Sequence, residues 1–122
     1  MTILNLSKNI VVASKVKAAD TFFKRLLGLM FRKKPYPLLI SFNKEGRVSA
    51  SIHMFFVRFG LDVVWMDKEF RVVDSRKEIK PFSLKIYFPK KKANYVLELP
   101  CEGIKRGKIE IGDLLQVLEK NS

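Results

Sequence analysis

The chain has 122 residues, 48% hydrophobic and 11% aromatic, which is enough apolar mass for one packed domain and too much for a disordered segment. No apolar run approaches the ~18 residues of a membrane span, and Met1–Asp20, interrupted by Lys8, Lys15 and Lys17, holds no apolar core of signal-peptide length. A net charge of +12 favours polyanionic partners, with plain solubility as the competing explanation, and the lone Cys101 forbids an internal disulfide and points to a reducing, cytoplasmic setting.

Ile3-Leu4-Asn5-Leu6 and Ile10-Val11-Val12 read as short strands, the second β-branched. From Asp20 the period changes. Phe22, Phe23, Leu26, Leu27 and Met30 recur at three- and four-residue spacing, which predicts one short helix over about 20–28, started by Asp20 or Thr21 and ended by Gly28. Everything after Pro35 reads as strands: Pro37–Phe42, a turn at Lys44-Glu45-Gly46-Arg47, then Val48–Val57. Phe59-Gly60 breaks the run before Leu61–Met66, which is apolar except for Asp62. A turn at Asp67-Lys68-Glu69 leads into Phe70–Asp74, and Leu84, Ile86 and Phe88 alternate between Pro81 and Pro89. Tyr95–Leu99 is a further strand, and Ile109–Ile111, Gly112-Asp113 and Leu114–Leu118 predict a closing hairpin. Many short strands with one helix near the start predict a mainly-β fold, a small β-sandwich or barrel, in a single domain over 1–122.

The segment Ile52–Asp67 holds the only His and the only Trp, and places Asp62 among Leu, Val, Val and Trp. An acid so placed needs a partner or a task. Several blocks in order and spacing carry a resemblance: Arg25 with Gly28-Leu29-Met30-Phe31-Arg32, Ile52-His53-Met54-Phe55-Phe56, Leu61–Asp67, Val72-Val73-Asp74, Lys80-Pro81, Val96–Pro100 and Gly112-Asp113. Over about 18–118 the chain resembles the domain-of-unknown-function 192 family, in the form of its archaeal-type members. The resemblance implies a small mainly-β sandwich or barrel with one helix, and brings no known activity, cofactor or catalytic residue. Two turns depart from the family pattern, Arg58-Phe59-Gly60 and Cys101-Glu102-Gly103.

His53, Asp62 and Glu98 are the candidates for acid–base work, because a carboxyl set among apolar strand residues has a raised pKa when unpaired. Against this, Asp62 can cap a turn amide after Gly60 and Glu98 can pair with Arg25 or Arg47 across the sheet. On a strand, Asp62 shares its face with Val64 and Met66, while Leu61, Val63 and Trp65 lie opposite. No zinc-like spacing of Cys and His exists, so neither a metal nor another cofactor is expected. Cys101 as a nucleophile would need His53 beside it, and no serine sits in an elbow context. The charge is uneven: residues 1–50 carry ten basic and two acidic groups, and the sharpest clusters are Arg32-Lys33-Lys34 and Lys90-Lys91-Lys92. Both adjoin aromatics, as a nucleic-acid surface requires, without matching a known RNA-binding sheet or oligonucleotide-binding barrel.

The leading expectation is a non-enzymatic, cytoplasmic binding module. It would use His53 and Asp62 as polar anchors, Phe59 and Trp65 as apolar contacts, Arg58 as an electrostatic handle and Pro81 as a stiff border. Its partner would be a small ligand or a protein, with no membrane. The alternatives are a nucleic-acid-associated protein using Arg32, Lys33, Lys34, Lys90, Lys91 and Lys92, and a hydrolytic enzyme using His53, Asp62 and Glu98.

Overall fold

The computed structural model describes residues 1–19, 28–46, 50–54 and 56–119, with backbone alone for 43–45 and 53. The helix predicted at 20–28 lies, but for Gly28, outside the described residues. The fold is mainly β. Its elements are β1 (Thr2–Asn5), β2 (Ile10–Ala13), β3 (Lys17–Ala19), β4 (Leu38–Gly46), β5 (Ile52–His53), β6 (Leu61–Met66), β7 (Val72–Ile79), β8 (Ile86–Tyr87), β9 (Ala93–Pro100), a one-turn helix α1 (Gly103–Arg106) and β10 (Leu115–Leu118).

A five-stranded sheet, ordered β3-β4-β9-β6-β7, forms the centre. Its middle follows from composition: β6 is buried along its whole length, as expected of an apolar run flanked by strands on both edges. The pleat then sorts side chains to two faces. Leu61, Val63 and Trp65 join Leu38, Ile40 and Val96 in one core, here the first face. Val64 and Met66 join Leu39, Leu97 and Leu99 in the other, the second face. The three-stranded sheet β10-β1-β2 supplies Ile3 and Leu115 to the second face, which makes that side a sandwich. The first face is covered differently. Leu29, Ala50, Met54 and Val57 from loops and Ile52 from the two-stranded β5–β8 ribbon close it. The Trp65 indole N–H donates to the Ala50 carbonyl at 2.7 Å and fixes that cover to the sheet.

The structure departs from the predicted elements in places that local pattern does not decide. β4 runs through Gly46, where a turn was expected. The expected hairpin at 109–118 does not form: Ile109–Ile111 is not strand, and β10 pairs antiparallel with β1, Thr2 opposite Leu118. The short parallel strand β3, beside β4, and the helix α1 carry too few residues for a periodic signal. In β7 one extra residue is inserted opposite β6 at two places, the first since Trp65 faces Asp74 while Met66 faces Val72, the second since Leu61 faces Ile79 while Val63 faces Arg76. The second bulge puts Glu78 in a left-handed conformation with φ of 53°.

Candidate functional site

The bulge at Glu78 explains Asp62. An inserted residue leaves a backbone N–H outside the ladder, and a buried unpaired N–H costs about 1–3 kcal/mol. Asp62, only 1% exposed, lies on the second face opposite Leu99. One carboxylate oxygen accepts the Glu78 N–H at 2.8 Å and the other accepts the Ile104 N–H, in the first turn of α1, at 3.0 Å. Glu102, which precedes that helix, makes no side-chain cap, so Asp62 caps α1 from a distant strand. Both oxygens are therefore engaged in holding the fold.

Glu98 is different. It pairs in register with Leu38 on one side and Val63 on the other, so it points into the first face, opposite in direction to Asp62. Its Oε1 has no hydrogen-bond partner, and burial pushes its carboxyl up from the ordinary 4.5 to about 7. Asn94, two residues before Val96 on the same strand, also has an unpartnered buried Oδ1. Asp62 and Glu98 leave β6 and β9 on opposite sides of the sheet, so the pair expected for acid–base work does not converge. The His53 side chain lies outside the description. Among the described residues no three His, Cys, Asp or Glu come together as a metal-binding group.

The remaining expected contacts divide between core and surface. Trp65 is fully buried. Phe59, expected as an apolar contact, is half-buried against the first core, while its neighbour Arg58 is exposed. Among the described residues of this segment the aromatic that protrudes is Phe56, 57% exposed. Its ring stacks on Phe31, 58% exposed, with centroids 5.0 Å apart. The Phe31 N–H donates to the Phe56 carbonyl, and the Phe82 N–H donates to the Val57 carbonyl, both at 3.0 Å. Three loops are thus tied together, each presenting an exposed Phe. All three Phe residues are left-handed, with φ of 63°, 57° and 56°. That region costs an ordinary side chain about 1–2 kcal/mol, and the stacking of Phe31 on Phe56 offsets only part of its threefold use by bulky, solvent-facing residues.

Segment 84–88 continues this surface. Leu84, Ile86 and Phe88 are 85%, 51% and 47% exposed, whereas Tyr87 between them packs on the first core. The apolar alternation visible in the sequence is real, and its apolar side faces outward. Pro81, exposed, borders a neighbouring cavity of about 440 Å³ with Arg76, Lys80, Lys85 and Tyr87. There the Arg76 guanidinium lies 5.1 Å from the Tyr87 ring centroid, and Ser83 Oγ and Tyr87 Oη share a hydrogen bond of 2.9 Å.

The basic clusters flank the same covered face from opposite edges. Arg32 reaches Tyr36 beside β3 and β4, and the Lys90 N–H donates to Asp74 of β7, the strand at the other edge. Four inter-strand steps separate those edges, about 19 Å. Arg32, Lys33, Lys34, Lys90, Lys91 and Lys92 are all exposed. The loop-covered face is an apolar, aromatic centre between two basic borders.

The family model for DUF192, described as Uncharacterized ACR, matches residues 3–117. The chain belongs to the DUF192 family. Among its curated relatives, UPF0127 protein PH1112 of Pyrococcus horikoshii is 44% identical over 115 residues, which cover 93% of this chain and 96% of that protein. Two solved bacterial structures share the fold. One, a candidate transcription regulator from Sinorhizobium meliloti, has a TM-score of 0.80 at 21% identity and covers 94% of this chain and 89% of its own. The other, a protein of unknown function from Novosphingobium aromaticivorans, has a TM-score of 0.82 at 21% identity, with coverage of 95% and 82%. These likenesses establish the family and the fold of a chain whose described helices include none long and apolar enough to cross a membrane.

Proposed function

We propose that this DUF192 domain is a non-catalytic binding module whose loop-covered face takes an extended, acidic and partly apolar polypeptide segment of another protein. The observation that carries this reading is the outward-facing alternation of Leu84, Ile86 and Phe88 beside the exposed Phe31, Phe56 and Phe82. Exposed apolar side chains grouped in this way mark interaction surfaces. Among the described residues β8 pairs only with β5, which leaves its second edge open to an added strand. An incoming extended segment would set alternate side chains against Leu84, Ile86 and Phe88. The charge argues for an acidic partner: Lys85, between Leu84 and Ile86 in sequence, is exposed, as are Arg58, Lys80 and the two basic clusters, in a chain of net charge +12. The same charge opposes a second copy of this chain as the occupant. The lone cysteine supports a cytoplasmic setting.

The nucleic-acid reading keeps one supporting observation, the exposed basic residues at both edges of this face. Aliphatic side chains at its centre fit a polypeptide better than a base stack. Selection of short peptides from a random displayed library separates the two. The expected binders alternate Asp or Glu with apolar residues and lose binding to a Leu84→Asp/Ile86→Asp variant whose circular dichroism is unchanged. Peptides without acidic residues, or binding indifferent to that variant, would refute the proposal. So would tight oligonucleotide binding with a salt slope set by Lys33, Lys34, Lys90 and Lys91.

A further inference from the structure

A separate feature stands at the β3–β4 edge of the first face. A cavity of about 420 Å³ is lined there by Lys17, Gly28, Arg32, Tyr36 and Leu38, within the size range of small-ligand sites. The Lys17 ammonium lies 4.5 Å from the centroid of the Tyr36 ring, and the Arg32 guanidinium carbon lies 5.9 Å from it. Two like charges drawn to one ring repel each other, and the ring quadrupole offsets only part of that. Among the described residues neither cation has a carboxylate partner; the ion pairs described are those of Lys8 with Glu110 and Asp113. The acid nearest in register is Glu98, opposite Leu38 and sealed in the core. Its carboxyl is pushed toward neutrality by burial, so it is a poor counter-charge across Leu38. The wall behind the cations is apolar, made by Leu38 and Ala19.

We infer that this cleft is a binding site for a small aromatic oxyanion. Its phosphate or carboxylate would lie between Lys17 and Arg32, and its flat body against Tyr36 and the Leu38 wall. Arg32 supplies a planar fork of donors that suits such a group, and Lys17 supplies a point charge. The inference does not rest on the peptide reading, since none of these residues belongs to the Leu84–Phe88 stripe.

The test is an NMR amide titration of the full chain with phenyl phosphate, with inorganic phosphate, and with a single-stranded oligonucleotide. Phenyl phosphate should produce saturable shifts at Ala18, Ala19, Gly28 and Leu38, with affinity about tenfold or more above that of inorganic phosphate. Lys17→Gln and Arg32→Gln should each weaken it about tenfold, and Tyr36→Leu should abolish its advantage over inorganic phosphate. Lys33→Gln and Lys34→Gln should leave it unchanged. Lys17 and Arg32 are exposed, so their variants fold, and the dispersion of the same spectra verifies it. Non-saturating shifts, or shifts spread equally over the Lys90–Lys92 amides and erased by salt, would overturn the assignment. An oligonucleotide that outcompetes phenyl phosphate at these amides would also overturn it, in favour of a phosphate carried on a chain.

Discussion

Replacing Glu98 with Gln should stabilise the protein at neutral and alkaline pH. Glu98 is 5% exposed, its Oε1 is unpartnered, and burial pushes its carboxyl from 4.5 to about 7. The folded state therefore holds a proton that the unfolded chain gives up near pH 4.5. The associated stability is fully present below pH 4.5, declines as the pH rises through about 7, and is gone above it. A difference of 2.5 pH units (7 minus 4.5) at ~1.36 kcal/mol each sets an upper figure of about 3 kcal/mol. Glu98→Gln keeps the shape without the ionisation, so this decline should vanish and the variant should exceed the wild type by up to that amount at pH 8.5. Urea denaturation of both proteins from pH 4 to 8.5 measures it, with a constant m-value as the check on two-state behaviour. A less stable variant at pH 8.5, together with a wild type that loses nothing across the range, would refute the reasoning. It would show that Glu98 is charged in the fold and held by a cation.

Asp62→Asn should lose one of the two backbone bonds and set an amide donor against an N–H, costing about 2–4 kcal/mol; thermal unfolding together with faster amide exchange at Glu78 or Ile104 checks it. Gly60→Ala would place its Cβ 2.9 Å from the Cys101 sulfur and 3.2 Å from the Ile79 carbonyl oxygen. A loss of about 1–3 kcal/mol is expected, much of it recovered in a Gly60→Ala/Cys101→Ala double variant if the sulfur is the chief obstacle. Burial, then the nearby Asp62, Glu78 and Glu102 carboxylates, pushes the Cys101 thiol above its usual range. Its alkylation by iodoacetamide at pH 7.5 should therefore run slower than that of a free cysteine in a peptide, and a faster rate would contradict the electrostatics.

The phase of the pleat was legible, and what lay across from it was not. The sequence alone placed Asp62 with Val64 and Met66 on one side and Leu61, Val63 and Trp65 on the other, which is the division between the two cores. It could not reveal that Asp62 serves the N–H groups of Glu78 and Ile104, because those donors arise from a bulge and a four-residue helix. Alternation in Leu84, Ile86 and Phe88 showed that these residues share a side without showing which side meets water. Phe56 and Phe59 are chemically alike, and only the loop geometry separates the exposed one from the half-buried one. The burial of Glu98 was legible as a matter of composition, since it is an acid set within Val96-Leu97-Glu98-Leu99, while its expected partners Arg25 and Arg47 lie outside the described residues. The partner of β10 was missed because pairing with β1 joins the two ends of the chain, and no local pattern reports that.

The position of β9 has a consequence during synthesis. It lies between β4 and β6, which do not pair with each other, so the central sheet stays in two pieces until Pro100 has left the ribosome. At ~5–20 residues per second, the 34 residues from Met66 to Pro100 take about 2–7 s. Throughout that interval Leu61–Met66, buried along its whole length in the finished fold, has one edge and much of both faces unsatisfied. A nascent chain arrested in this window should bind chaperones that recognise extended apolar segments. Release past Pro100 should end that association by filling the gap in the sheet.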